Sequence, residues 1–254
     1  MRRLRAGLLI LVSLWLSSMP VQSAELWQDF QGYLRQPAQW QQEQWWTLGG
    51  IALLTATAIQ YDESVRDDFA ANQSPQGDRL AALGNGWGEL QSLGGVTLLS
   101  LYLAGKVNVD PELEQLSAHA LEAVVISGIT TGTGKLLLGR LRPSASDSSA
   151  EWGQGGMSFP SGHTTMAFAL STVLAEDTDH PSPGRRIFFY SLASLTAYAR
   201  MYDQKHWLSD TMAGAAIGIN AGLYVVHRHR QSPAEERTQM MLLPNGLYFY
   251  RALG

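Results

Sequence analysis

Pro160-Ser161-Gly162-His163, followed by Thr164-Thr165-Met166-Ala167-Phe168-Ala169-Leu170, is the stretch around which this chain is organised. A Gly/Ser-rich loop precedes it and an apolar run follows, so the pattern predicts a helix beginning near Thr164. The first turn of a helix carries N–H groups without internal partners and the positive end of the dipole. An anion placed there meets geometry the backbone already has. Gly162 allows close backbone approach, and His163 would face whatever leaves that anion. Alone, the stretch reads first as a Ser-capped helix with an exposed histidine.

Outward from this point the chain is a series of apolar segments: Thr47 to Ile59, Leu93 to Val107, Leu116 to Leu141, Thr164 to Ala175, Ile187 to Tyr202 and Leu208 to Val226. These predict an all-α helical bundle. Most of their uninterrupted apolar cores fall short of the ~18–20 residues a spanning helix needs. If they did span a membrane after an uncleaved first helix, the acidic loops at 61–90 and 143–160 would face the cytoplasm, against the positive-inside rule. The segments therefore read as helices of a soluble bundle, with an integral membrane protein as the alternative. Between Tyr61 and Glu89 the pattern predicts a polar connection with one short helix, Asp78 to Leu83. Gly214, Gly218 and Gly222 are spaced for close helix approach. Near the end, Pro244-Asn245-Gly246 between apolar runs predicts a small C-terminal β-hairpin over 239–254.

Residues 1–23 have the layout of a secretory signal: Arg2, Arg3 and Arg5, an apolar run from Ala6 to Leu16, then small and polar residues. An uncleaved anchor is the alternative. The helical domain is expected over 24–238, exported to the periplasm or to the outer face of the inner membrane. Removing the leader takes away three of the 18 basic residues and none of the 22 acidic ones, which argues against nucleic acid as a partner. With no cysteine, stability must come from packing. Residues 25–46 are rich in Trp and Gln, with Leu26, Phe30, Tyr33 and Leu34 at helical spacing. Trp27, Trp40, Trp45 and Trp46 offer a possible membrane-surface contact, since indole suits the headgroup boundary.

Two further sets of residues point to the same anion. Lys135 and Arg142 are seven apart and would share one face of a helix ended by Pro143. Downstream, Arg200 closes an apolar helix, and His206 and Asp210 are four apart, so a carboxylate at 210 would support the imidazole at 206. Following the bundle up and down brings four helix ends to one pole, with three cations, two histidines and a supporting carboxylate.

These three sets resemble the signatures of the type 2 phosphatidic acid phosphatase and vanadium haloperoxidase superfamily: Lys135 to Arg142-Pro143, Pro160-Ser161-Gly162-His163, and Ala199-Arg200 to His206 to Asp210. Only Ala199 departs, standing where the signature has serine. The resemblance covers residues 135–210 and implies a helical-bundle phosphatase without metal or other cofactor, with vanadate as a phosphate-mimicking inhibitor. It assigns His206 as nucleophile, Asp210 as its support and His163 as acid and base. Lys135, Arg142, Ser161, Gly162 and Arg200 would hold phosphate, and Ala199 offers no hydroxyl to help them. The substrate implied is a lipid phosphate, such as phosphatidate or a polyprenyl diphosphate, or else a small soluble phosphate taken by a nonspecific periplasmic acid phosphatase. A vanadium-dependent haloperoxidase and a non-catalytic envelope protein are the readings from other classes.

Thr131-Gly132-Thr133-Gly134-Lys135 fails the nucleotide phosphate-loop pattern, because Leu136 stands where Ser or Thr is needed. His227 and His229 could bind a metal, but with Arg228 and Arg230 as neighbours and no carboxylate or thiolate partner evident in the sequence they read as a solvated basic helix end. His119 and His180 read as surface or packing residues.

Overall fold

The computed structural model describes residues 23–90, 92–108, 110–231, 238–243 and 246–251. Residues 1–22, where the expected leader falls, lie outside them. Nine α-helices are described: α1 Ser23–Arg35, α2 Gln42–Ile59, α3 Asp62–Ala71, α4 Pro75–Trp87, α5 Leu93–Asn108, α6 Pro111–Leu138, α7 Gly162–Glu176, α8 Pro183–Tyr202 and α9 Leu208–Gln231. A 3₁₀ turn, Gln36–Gln39, joins α1 to α2. Local chemistry starts several of them. Ser74, Asp110 and Ser182 each accept a hydrogen bond from the first-turn backbone, and Pro75, Pro111 and Pro183 occupy the first helical position.

The helix opened by the Pro-Ser-Gly-His stretch is the centre of the bundle. Every residue of α7 from Ala167 to Ala175 is buried, because α6, α8 and α9 cover it on different sides. The core joins Leu98 of α5, Ala120 and Ile126 of α6, Leu170 and Val173 of α7, and Ala221 and Val225 of α9. The Gly214, Gly218 and Gly222 spacing does what it predicts. A Cβ at Gly214 would lie 2.7 Å from Ser161 O and one at Gly222 2.6 Å from Thr172 Cβ, so these glycines let α9 lie directly on α7.

Three boundaries differ from expectation. The connection at 61–89 holds two helices; α3 gives no clear signal because DESVRDDFAA is charged and has little apolar period, yet Phe69 packs edge-on against Tyr198 and Tyr202. α4 is longer than Asp78 to Leu83, since it begins at its Ser74–Pro75 cap. α6 stops at Leu138, not Leu141. Gly139 takes the left-handed conformation (φ 53°) that ends a helix, and its N–H closes on Lys135 O.

The C-terminal hairpin is present as β1 Thr238–Leu243 paired antiparallel with β2 Gly246–Arg251, Leu243 opposite Gly246. The turn residues 244–245 lie outside the described residues.

The surface is more apolar than a soluble bundle requires. Trp45, Trp46, Leu53 and Leu54 of α2, Leu103 and Val107 of α5, Leu136 and Leu137 of α6, and Ile187 and Phe188 of α8 are all exposed. Of the Trp-rich segment, Phe30 and Tyr33 pack on the core, whereas Trp27, Leu34, Trp45 and Trp46 face outward. Among the described residues one helix, α6, is long and apolar enough to cross a bilayer. Exposed apolar area on this scale marks contact with a second apolar phase or partner.

Candidate active site

The ends of α6, α7, α8 and α9 and the segment after α4 meet at one pole. They enclose a cavity of about 660 Å³ lined by Lys135, Arg142, Gly162, His163 and His206, together with Gly88, Glu89, Leu90, Ser92 and Met166. Lys135 and Arg142 converge there by a different route from the one their spacing predicts. Because Gly139 ends α6, Arg142 lies in the following loop, and Lys135 Nζ reaches the loop's far side to donate to Met157 O (2.6 Å) and Ser158 O (3.3 Å). The Arg142 side chain has no hydrogen-bond or salt-bridge partner among the described residues and is free to meet an anion.

A tight turn carries the chain from α8 to α9. His206 N–H and Lys205 N–H both donate to Arg200 O, and Gln204 adopts φ 55°. Arg200 and His206 are thus locked side by side. Arg200 is buried; its Nη1 donates to Asn85 Oδ1 at 2.8 Å, Asn85 in turn donates to Asp203 Oδ2, and the guanidinium Nε is buried without a partner. His206 Nδ1 lies 3.5 Å from Asp210 Oδ2, the i,i+4 pairing expected, but the distance is beyond a good hydrogen bond and Nδ1 makes none. Burial lowers the His206 pKa to about 4, more than Asp210 raises it, so the imidazole is neutral at ordinary pH.

Asp210 is the most heavily held group at the pole. Its Oδ2 accepts from Ser158 Oγ (2.5 Å) and Trp207 N–H (2.9 Å), and its Oδ1 accepts from Arg140 Nη1 (2.7 Å). Burial pushes its carboxyl up, but His206, Arg140 and Ser158 together outweigh that and keep it below the usual range. Arg140 is fully buried and fully satisfied. Beyond Asp210 it donates to Asp62 Oδ2 (2.6 Å), Ser209 Oγ (2.8 Å) and Ser149 O, and it lies over the Trp152 and Trp207 rings. Asp62 closes the network by accepting from Ser209 N–H and Oγ.

His163, in the first turn of α7, has its Nε2 3.4 Å from Glu89 Oε1. Burial and then Arg200 lower its pKa, while Glu89 works the other way.

Two expected contacts are rearranged. Ser161 is fully buried, with its Oγ on Thr164 Oγ1 (2.9 Å) and its N–H on Asp210 O (3.0 Å), so its hydroxyl ties α7 to itself and does not line the cavity. Ala199 is fully buried against α4, where a Cβ at Gly84 would come within 3.1 Å of its methyl. The side chain at 199 therefore points into the α4–α8 contact, which is where a serine hydroxyl would also begin.

Asp62, Asn85, Glu89, Arg140 and Ser158 are not legible as site residues in the sequence. Arg140 stands between the signature Lys135 and Arg142, the one local hint. Asp62 and Asn85 lie in the stretch that reads as a polar connection and carry no spacing signal.

Residues 117–233 match the sequence model of the PAP2 superfamily. The lipid A 1-phosphatase of Porphyromonas gingivalis is 36% identical over 109 residues, which are 43% of this chain and 22% of that protein. A PA-phosphatase related-family protein of Dictyostelium discoideum is 29% identical over 121 residues, 41% of this chain and 45% of that one. The matched region thus spans less than half the length of these curated relatives. Among solved structures, Aquifex aeolicus LpxE superposes with a TM-score of 0.51 at 21% identity, covering 65% of this chain and 94% of that one. A transmembrane PAP2-type phosphatidylglycerolphosphate phosphatase from Bacillus subtilis superposes at 0.56 with 15% identity, covering 73% and 97%. The family match covers 117 of the 254 residues, and the fold is that of these helical phosphatases.

Proposed function

We propose that this chain belongs to the PAP2 superfamily and is a metal-independent phosphatase that removes phosphate from lipid phosphate monoesters or diphosphates. The observation that carries the reading is the cavity itself. Lys135, Arg142, Gly162, His163 and a neutral His206 all line it, and Arg200, whose charge acts on both Lys135 and His163, keeps a buried Nε without a partner. The chain's own cations supply the charge that a bound metal would otherwise supply.

In this reading His206 Nε2 attacks phosphorus in line, and the imidazolium that forms is stabilised by Asp210. The P–O bond breaks as His163 passes its proton to the leaving oxygen. His163, now neutral, takes a proton from water, whose oxygen attacks the phosphohistidine; the P–N bond breaks, inorganic phosphate leaves and His206 is restored. The Gly162 backbone N–H, Lys135, Arg142 and Arg200 hold the equatorial oxygens, and removing any one of them is expected to cost ~10²-fold or more in rate.

Support for a lipid substrate comes from the surface beside the site. Leu136, Leu137 and Leu138 directly follow Lys135, and Leu93 and Val96 lie in the turn of α5 that follows the cavity residue Ser92; all five are exposed. A phosphate presented at a bilayer surface would meet the cations while its acyl chains meet these side chains. The relative named as a lipid A 1-phosphatase supports the same class.

The test is phosphate release by the full chain in detergent micelles with EDTA, from a short-chain phosphatidate and from a soluble aryl phosphate side by side. Release from phosphatidate at the higher kcat/KM, abolished in His206→Ala, is expected. Equal inactivity of folded wild type and mutant on both would overturn the catalytic reading; preference for the aryl phosphate would overturn the lipid one.

A further inference from the structure

We infer that the end of the bundle opposite the catalytic pole is a divalent-cation site of the mixed nitrogen and oxygen class, with Asp29, Glu122 and His229 as ligands. The three come from α1, α6 and α9, and one potential ligand atom from each lies within 4.8 Å of the others. Glu122 and Lys135 are 13 residues apart on α6, which at ~1.5 Å per residue puts this cluster ~20 Å from the cavity.

Asp29 and Glu122 are 7% and 6% exposed, and two carboxylates are not buried together without compensation. Part of it is visible. Arg228 Nε donates to Asp29 Oδ1 (2.9 Å), and His229 Nε2 is 2.8 Å from Glu122 Oε2. The other oxygen of Glu122, Oε1, is buried with no hydrogen-bond partner. An acceptor left in that state costs free energy, and a cation would recover it.

The surroundings are those of a supported ligand. The His229 ring stacks on His119 at 3.9 Å between centroids, and His119 Nδ1 is itself held 2.7 Å from Asp177 Oδ2, so a second carboxylate–imidazole pair fixes the orientation of the first. One imidazole and two carboxylates suit Zn²⁺ or a similar borderline ion with one position left to water; Ca²⁺ and Mg²⁺ prefer oxygen-only sets. Zn²⁺ bonds of ~2.0–2.2 Å bring ligand atoms to ~3.2–3.6 Å apart, so the 2.8 Å Glu122–His229 pair would open slightly, and separations of up to 4.8 Å need close by no more than about an ångström. The ion would clamp α1 to α6 and α9 and leave the phosphatase chemistry untouched.

The reading of His229 as part of a solvated basic end is corrected, since it is partly buried and paired to Glu122; His119 packs as the surface-or-packing reading allows, its ring on His229, and is also paired to Asp177.

The full chain, stripped with EDTA in detergent, is titrated with Zn²⁺, with Ca²⁺ and Mg²⁺ in parallel, by equilibrium dialysis and thermal denaturation. One Zn²⁺ per chain and a Tm raised by several degrees are expected, without a comparable effect of Ca²⁺ or Mg²⁺. Glu122→Gln and, separately, His229→Gln should weaken binding about 100-fold or more and remove the Tm shift, whereas His227→Gln, at an exposed neighbour, should keep both. Absence of stoichiometric Zn²⁺ binding to wild type would overturn the site, as would binding that survives both ligand substitutions or disappears in His227→Gln.

Discussion

At the scale of the residue, the two histidines are set apart by their surroundings. Burial holds His206 neutral down to about pH 4, the state that the proposed attack on phosphorus requires. In the proposed mechanism His163 carries a proton to the leaving group, and burial with Arg200 nearby lowers its pKa below the ordinary imidazole value, so its protonated fraction falls as pH rises through that lowered pKa. Activity as kcat/KM should therefore rise from about pH 4 and decline as His163 loses its proton. Glu89, 3.4 Å from Nε2, opposes that loss. Glu89→Gln should move the declining limb to lower pH and leave the rising limb in place, and comparison on one substrate cancels the substrate's own ionisation. Coincident profiles for the two proteins would show that Glu89 does not act on His163.

At the scale of the element, the Arg140 guanidinium binds together parts of the chain that share no local pattern: the start of α3 through Asp62, the loop after α6 through Ser149, and the start of α9 through Ser209 and Asp210. Its charge lies between two buried carboxylates. Arg140→Met keeps much of the stem but leaves Asp62 and Asp210 facing each other unpaired, which is expected to cost about 3–5 kcal/mol. For a chain of this size that is a Tm lower by roughly 10 °C, read by thermal denaturation. Asp62→Asn keeps a polar partner for Ser209 and should cost less. A wild-type Tm for Arg140→Met would mean that the network contributes nothing net. The same element logic explains Ala199: its methyl lies in the α4–α8 contact, 3.1 Å from where a Cβ at Gly84 would be, and small size is what that contact asks for.

At the scale of the whole molecule, a charged pole and an apolar periphery occur on one body. The exposed side chains of α2, α5, α6 and α8 are too many for singly scattered surface residues. Contact with acyl chains, as the lipid-phosphatase proposal implies, would account for them and would hold the cavity at the headgroup level, where lipid phosphates are. The expressed chain should therefore sediment with membranes, resist high salt and need detergent for release. Recovery in the soluble fraction after cell breakage would refute the lipid contact and favour soluble phosphates as substrates.

The sequence by itself determined the helical class, six of the helix positions, the presence of a C-terminal hairpin and half of the residues that line the cavity, because apolar period, caps and motif spacing are properties of short stretches. Tertiary structure alone decided what depends on segments far apart in the chain. Arg140 and Asp62 became the support of Asp210, Asn85 the partner of Arg200, and His119 and His229 neighbours of buried carboxylates only when separate helices were packed together. The same holds for Ser161 and Ala199, whose side-chain directions follow from the helix each one abuts. Local pattern specifies which groups are present and how each segment is shaped, while the pairing of a buried charge is set by whatever the fold brings within hydrogen-bonding distance.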